Sequence, residues 1–231
     1  MHLQTIRTDI ARWRTLLQKP TSPDLLSRYE AQFFFSQHWD PHATDVADML
    51  ARSLHTTLSR RLWSRRGYEP RKVLLELARY APELVRSFFI ELFDEQRPLT
   101  DRLDRFVFHF DELFADYQRH HPKCPWPAHF HHDDYQMASL YLSLRHPQLY
   151  APYCLELLQR FLTHVRAPNP PLSHDLPRYF KVMRTLSKLL STDTQLMKLH
   201  AQRLATIPHI AHHHLLMAEE FARFAVDMPP F

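Results

Sequence analysis

Glycine is almost missing from this chain. One residue, Gly67, stands beside 18 prolines in 231 residues. Sheet proteins use glycine at hairpin turns and bulges, whereas helical proteins can punctuate themselves with proline. The scarcity also excludes chemistry. A phosphate-binding P-loop, a serine nucleophile elbow and a dinucleotide-binding fingerprint each need at least two glycines, so none of them fits here. Cysteine is scarce too. Cys124 and Cys154 form neither a CxxC pair nor a disulfide framework, which suits a reducing cytosol. No apolar run approaches the roughly 20 residues of a membrane span. The N-terminal MHLQTIRTDIARWRTLLQ carries Arg7, Asp9, Arg12 and Arg14 where a signal peptide keeps an apolar stretch. A cytoplasmic protein is the expectation.

What the chain does hold is apolar mass: 45% hydrophobic and 13% aromatic residues, enough for a core and too much for wholesale disorder. The pattern is clearest from Pro98 to Tyr117. Leu99, Leu103, Phe106, Phe110, Leu113 and Tyr117 recur by four and three on one helical stripe, widened by Val107 and Phe114. Asp101, Asp104, Arg105, Glu112 and Asp116 fall opposite. The same period predicts a helix through Ile6, Ile10, Trp13, Leu16 and Leu17, ended by Pro20. A second is capped by Ser22–Pro23 and runs through Tyr29, Phe33, Phe34 and Trp39. A third starts at Thr44 or Asp45 and continues through Leu58 and Leu62 until Gly67 stops it. Pro70 and Pro82 open two more, the latter carrying Val85, Phe88, Phe89, Leu92 and Phe93. The segment from His120 to Asp134 (HHPKCPWPAHFHHDD) reads as an irregular connection. It separates an N-terminal half, 1–119, from a C-terminal half, 135–231, and the two halves can still pack as one domain. After it, Asp133 or Asp134 caps a helix with Met137, Leu140, Tyr141 and Leu144. Another carries Leu155, Leu158, Phe161, Leu162 and Val165, and closing helices cover about 176–190, 193–206 and 209–226, with Ser173 or Asp175 as a cap. The expectation is an all-α array of about ten helices.

Three constellations carry candidate chemistry. His129, His131 and His132 with Asp133 and Asp134 have metal-ligand character. They lie in a proline-rich loop, though, without an HExxH motif or paired Glu-x-x-His motifs, and loop solvation accounts for them. His212, His213 and His214 are consecutive and point apart on a helix. No cofactor is therefore expected, and a metal-dependent helical enzyme stays as an alternative. The carboxylates between Glu91 and Asp116 read as a solvated face. The third constellation is basic. Arg60, Arg61, Arg65, Arg66, Arg71 and Lys72, with Arg52 nearby, face a single acid, Glu69. Arg178, Lys181, Arg184 and Lys188 recur on one face of a late helix. Phosphate backbones reward such surfaces through counterion release, acidic protein partners do likewise, and a solvated face can be basic with no partner at all.

Several phrases together resemble a known family. FFFSQHWDPHATDVADMLARSL, LW, APELVRSFFIELFDEQRPLTDRLDRFVFHFDELF, YLSLRHPQLYAPYCLELLQRFL, RYFKVMRTLSKLLSTDTQLMKLHAQRL and LLMAEEFARF resemble the helical N-terminal region of bacterial McrB-like AAA+ proteins of modified-cytosine restriction systems. The likeness covers about residues 27–226 and rests on packing and turn residues. It implies a non-catalytic front-end targeting module for a phage-defence ATPase. Such a module contacts DNA through the basic residues and is joined to a motor domain in the same or a neighbouring chain, with a homo-oligomer as a further expectation. Asp227-Met-Pro-Pro-Phe231 then reads as a linker. The family's motor carries its own P-loop, which this sequence lacks, so nucleotide hydrolysis transfers to no residue here. A protein-interaction scaffold that docks an acidic partner is the alternative.

Overall fold

Proline and short polar side chains start the helices. In a computed structural model describing residues 2–64, 69–124, 135–205, 207 and 215–229, Ser22, Asp45, Asp175 and Asp193 each cap a helix by accepting a first-turn N–H. Pro23, Pro70 and Pro82 occupy first helical positions, where the missing N–H has no consequence. The helices are α1 (Leu3–Leu17), α2 (Pro23–His38), α3 (Val46–Ser53), α4 (Pro70–Tyr80), α5 (Pro82–Leu92), α6 (Leu99–His120), α7 (Gln136–Arg145), α8 (Leu155–His164), α9 (Leu176–Ser191), α10 (Thr194–Leu204) and α11 (Leu216–Ala225), with a 3-10 turn at Arg61–Trp63. The fold is all-α, without a strand among the described residues. No described helix is long and apolar enough to cross a membrane.

The stripe on α6 is buried as its spacing requires. Leu103, Phe106, Phe110, Leu113 and Phe114 are inside, while Leu99, Val107 and Tyr117 lie half-buried at its margins. Around it stands an aromatic cluster. Phe106 and Phe110 lie 4.7 Å apart between ring centroids, Phe89 meets Phe106 and Tyr141 at 5.2 Å each, and Trp39 meets Phe93 at 5.2 Å. Tilted and edge-on contacts of this kind add about 0.5–1.5 kcal/mol each beyond the area they bury. α2 through α7 pack around this cluster; α1, α8, α9, α10 and α11 form a second group. One continuous apolar cluster runs from Ile6 to Ala225 and includes residues on both sides of 120–134.

Two sequence expectations change, and two others reach residues outside the described ones. The residue of the FFF run that α2 buries is Phe35; Phe33 and Phe34 are half-buried. α3 ends at Ser53, far short of Leu62, and Leu58 is exposed. The cause is Glu30 of α2, whose carboxylate accepts from the backbone N–H of Thr57 (2.8 Å) and Leu58 (3.1 Å) and from the Thr57 hydroxyl. Those bonds replace the helical ladder, and Gly67, the expected stop, lies outside the described residues. The residue at the start of α7 is Tyr135, in a left-handed conformation, with no side-chain cap; Asp133 and Asp134 are outside the described residues. The last helix is described from Leu216, and His212, His213 and His214 are likewise outside.

Candidate functional site

The chain that follows α3, over 54–64, is held so that Arg60 and Arg61 face outward. Glu30 grips Thr57 and Leu58, and the Ser59 hydroxyl donates to Asp24. The 3-10 turn then sinks Leu62 and Trp63 into the core, leaving Arg60 and Arg61 exposed at its start. On the far side, Pro70 begins α4 and sets Arg71 and Lys72 in its first turn. Arg71 is tied back to α3, its Nη2 donating to the Ala51 carbonyl at 2.8 Å. Between the two walls lies a cleft of about 680 Å³, lined by Arg60, Arg61, Arg71, Lys72 and Arg79 against the carboxylates Glu69 and Glu76.

Part of this charge is already matched. Arg61 Nη1 meets Asp24 Oδ2 at 2.9 Å, and Arg79 meets Glu76 at 2.6 Å. Arg60 and Lys72 are exposed with no ion pair among the described residues. Burial pushes the Arg71 guanidinium below its ordinary pKa, and the neighbouring Arg60 adds to that push against Glu69. The group stays protonated, and burial is the larger part of the push, Arg60 the smaller. Two buried donors in the cleft wall, Trp63 Nε1 and Arg71 Nε, have no acceptor among the described residues. Native proteins satisfy nearly all such groups. A bound oxyanion would supply the missing acceptors.

Glu76 also borders a second hollow of about 590 Å³ at the end of α6, with Tyr117, His120, His121 and Lys123. There the Tyr80 hydroxyl donates to Asp116 (2.8 Å), a bond that raises the Tyr80 pKa, and the His121 ring stacks on Tyr117 at 4.1 Å. Glu76 on α4 thus borders both the cationic cleft and the aromatic hollow.

The structure brings Arg60, Arg61, Arg71 and Lys72 into one cleft. Arg65 and Arg66 lie outside the described residues, as do His129, His131, His132, Asp133 and Asp134. Elsewhere, no three His, Cys, Asp or Glu side chains among the described residues are placed to hold a metal ion. The basic face of α9 is a separate surface that shares no lining residue with the cleft. Lys181, Arg184 and Lys188 are exposed on it. Arg178 instead bends onto the adjoining loop and donates to the carbonyls of Asn169 (2.6 Å) and Pro168 (2.8 Å).

Sequence reasoning missed a buried ionic network where α2, α10 and α11 meet. Arg28 Nη2 lies 2.6 Å from Glu219 Oε2, Arg223 pairs with the same carboxylate, and Arg203 pairs with Glu220 and donates to the Tyr29 hydroxyl at 3.0 Å. Burial and the adjacent Glu220 push the Tyr29 phenol well up, while Arg203 and Arg28 oppose them. The signal was the Glu219–Glu220 pair inside the otherwise apolar LLMAEEFARFA. Comparison with protein-family models, characterised proteins and solved structures finds no match to this chain.

Proposed function

We propose that this protein is a non-catalytic recognition module that grips nucleic-acid phosphate in the cleft between the 3-10 turn and α4. The observation that carries the reading is the convergence of Arg60, Arg61, Arg71, Lys72 and Arg79 on one recess whose wall holds two unmatched N–H donors. Phosphate oxygens fit both features, because they accept from fork-shaped guanidinium groups and from isolated donors alike. The α9 face is a second, weaker contact in this reading. Service as the front end of a McrB-like AAA+ restriction motor, with DNA as the bound polymer, is the setting supported by the sequence phrases alone.

Anisotropy of labelled duplex DNA, titrated across a series of salt concentrations, tests the reading. Affinity is expected to fall linearly on logarithmic axes. The double variant Arg60→Glu/Lys72→Glu, at two exposed positions, is expected to weaken binding and flatten the salt slope by about 2, roughly 0.9 per lost phosphate contact. Wild-type affinity and slope in that variant would sink the proposal. Running cytosine-modified and unmodified duplexes in parallel reads any base preference.

One observation favours the scaffold alternative. Leu172 is 96% exposed on a loop pinned by Gln159 to the Pro171 carbonyl (2.8 Å) and by Arg178. A pinned loop that offers a bare leucine suits a protein contact. Leu172→Asp would remove such a contact and leave DNA binding intact.

A further inference from the structure

Helix α6 carries a large apolar side chain on its solvent side. Phe108 is 61% exposed and stands opposite the buried stripe of Phe106, Phe110 and Leu113. Ring contacts extend it across the surface to α5, from Phe108 to His109 (5.6 Å) and from His109 to the half-buried Phe88 (5.1 Å). Carboxylates flank it along the helix. Asp104 and Asp101 lie one and two turns before Phe108, Glu112 lies one turn after, and all three are exposed. None of them enters an ion pair among the described residues; Asp104 accepts from the Tyr135 hydroxyl (2.5 Å). Arg105, on the same side, is drawn to Glu91 of α5 (3.4 Å). An exposed aromatic strip inside a polar margin has the composition of a protein contact.

The counterpart lies on α9. That helix contains no acid. Lys181, Arg184 and Lys188 are exposed on it and enter no ion pair among the described residues. Arg184 donates to the Leu149 carbonyl (3.4 Å), and the Leu149 side chain beside it is 39% exposed. Here too an apolar group is set among charges, now of the opposite sign. With a rise of 1.5 Å per residue, Asp104 to Glu112 spans about 12 Å of helix and Lys181 to Lys188 about 10 Å. The two rows match in length, with Phe108 and Arg184 in their middles, and a guanidinium over an aromatic ring adds its own attraction. Both faces are exposed, so neither is spent on the other within one molecule.

We propose that α6 of one copy of this chain docks on α9 of a second copy, with Phe108 against Arg184 and Leu149 and the α6 carboxylates against Lys181 and Lys188. Two different faces meet, so the contact is heterologous and repeats head to tail. One helix laid on another is a small contact, with an expected Kd of about 10–100 µM. It shares no residue with the phosphate cleft, and on α9 the second copy competes with DNA.

Sedimentation velocity of the whole chain without DNA, from about 10 to 500 µM in about 50 mM and about 500 mM salt, tests the contact apart from the cleft. Each copy has a formal charge of +4, so net charge drives copies apart as salt falls, and attraction that grows instead marks matched faces. The sedimentation coefficient is expected to rise with concentration at low salt, with association at least about tenfold weaker at high salt. Lys181→Glu/Lys188→Glu and Asp101→Lys/Glu112→Lys should each be monomeric, and Phe108→Ser should weaken association about tenfold. Mixing the two double variants restores a native pair, because the first keeps its α6 face and the second its α9 face. The mixture should therefore associate, which separates a lost contact from a lost fold. A parent chain monomeric up to about 500 µM at low salt, association untouched by either double variant or by Phe108→Ser, or a mixture that stays monomeric would each overturn the proposal.

Discussion

Replacing Glu219 by glutamine keeps the volume of the side chain and removes only its charge. The residue is wholly buried on α11 between Arg28, 1% exposed, and Arg223, 7% exposed. Burial by itself would push this carboxyl up; Arg223 and Arg28 outweigh it and hold it below the ordinary glutamate range. Glu219→Gln leaves two buried guanidinium groups facing a neutral amide. Removing one partner from a buried ion pair costs about 3–5 kcal/mol, and two stranded cations place this case toward the upper end. For a chain of this size each kcal/mol lowers the melting temperature by roughly 2–4 °C, so a drop of roughly 6–20 °C is expected. Circular dichroism at a helical wavelength, in thermal and urea unfolding, reads it. The control is Arg52→Ala in the exposed Asp48–Arg52 pair, 58% and 57% exposed, which should change stability by less than about 1 kcal/mol. A Glu219→Gln protein within about 1 kcal/mol of the parent would refute the reasoning, because the network would then be screened by water the packing does not admit. The acid limb gives a second reading. Since the folded pKa is lowered, the stabilisation is fully present above the unfolded value of about 4.3 and is lost as pH falls through the lower folded value.

Other expectations follow from single contacts. Glu30→Gln weakens the grip on Thr57 and Leu58, so hydrogen exchange at those two amides should quicken, with little change in global melting; under the proposed phosphate-binding role, DNA affinity should drop as well. Asp175→Ala removes the cap of α9, whose carboxylate accepts from Arg178 N at 3.0 Å, and should cost about 1 kcal/mol in denaturant unfolding. Phe110→Ala opens a cavity in the aromatic cluster and should cost about 3–5 kcal/mol by the same measurement. Burial pushes the His146 imidazole below its ordinary pKa, with Arg145 and Arg102 adding to the push and Glu95 and a hydrogen bond with the Phe93 backbone opposing it. A lowered folded pKa means stability is present above about pH 6.5 and lost as pH falls. Between about pH 7 and pH 5 the parent should therefore lose more melting temperature than His146→Leu, and equal losses would remove the residue from this role.

The α6 stripe was legible because its seven-residue rhythm is long and unbroken, and the caps at Ser22, Asp45 and Asp175 were legible because capping is a local competition for N–H groups. What sequence could not reveal were contacts between distant segments. α3 looks helical through Leu62 until Glu30, 27 residues before Thr57, intercepts the backbone. Arg102, on α6 between the stripe and the charged side, is 2% exposed, with Nη1 bonded to the Leu92 carbonyl (2.8 Å) and Glu95 (2.7 Å) and Nη2 to the Tyr150 hydroxyl (2.9 Å). At the candidate site, the clustering of Arg60, Arg61, Arg71 and Lys72 followed from their closeness in the chain. The contribution of Arg79 and the unmatched donors on Trp63 and Arg71 depended on how α4 turns back over α3. For Arg178, a regular helical spacing suggested an outward charge that the Asn169 and Pro168 carbonyls in fact capture.

Trp13 on α1 meets the rings of Phe221 and Phe224, at 5.4 and 6.5 Å, across from it on α11. A ribosome adding about 5–20 residues per second needs on the order of 10–40 s to travel from one to the other. Through most of that interval α1 has an apolar flank whose partners on α10 and α11 have not yet been made. Nascent chains stalled before α11 should accordingly bind a holdase chaperone at α1, and release it once the last turn of α11 has cleared the exit tunnel.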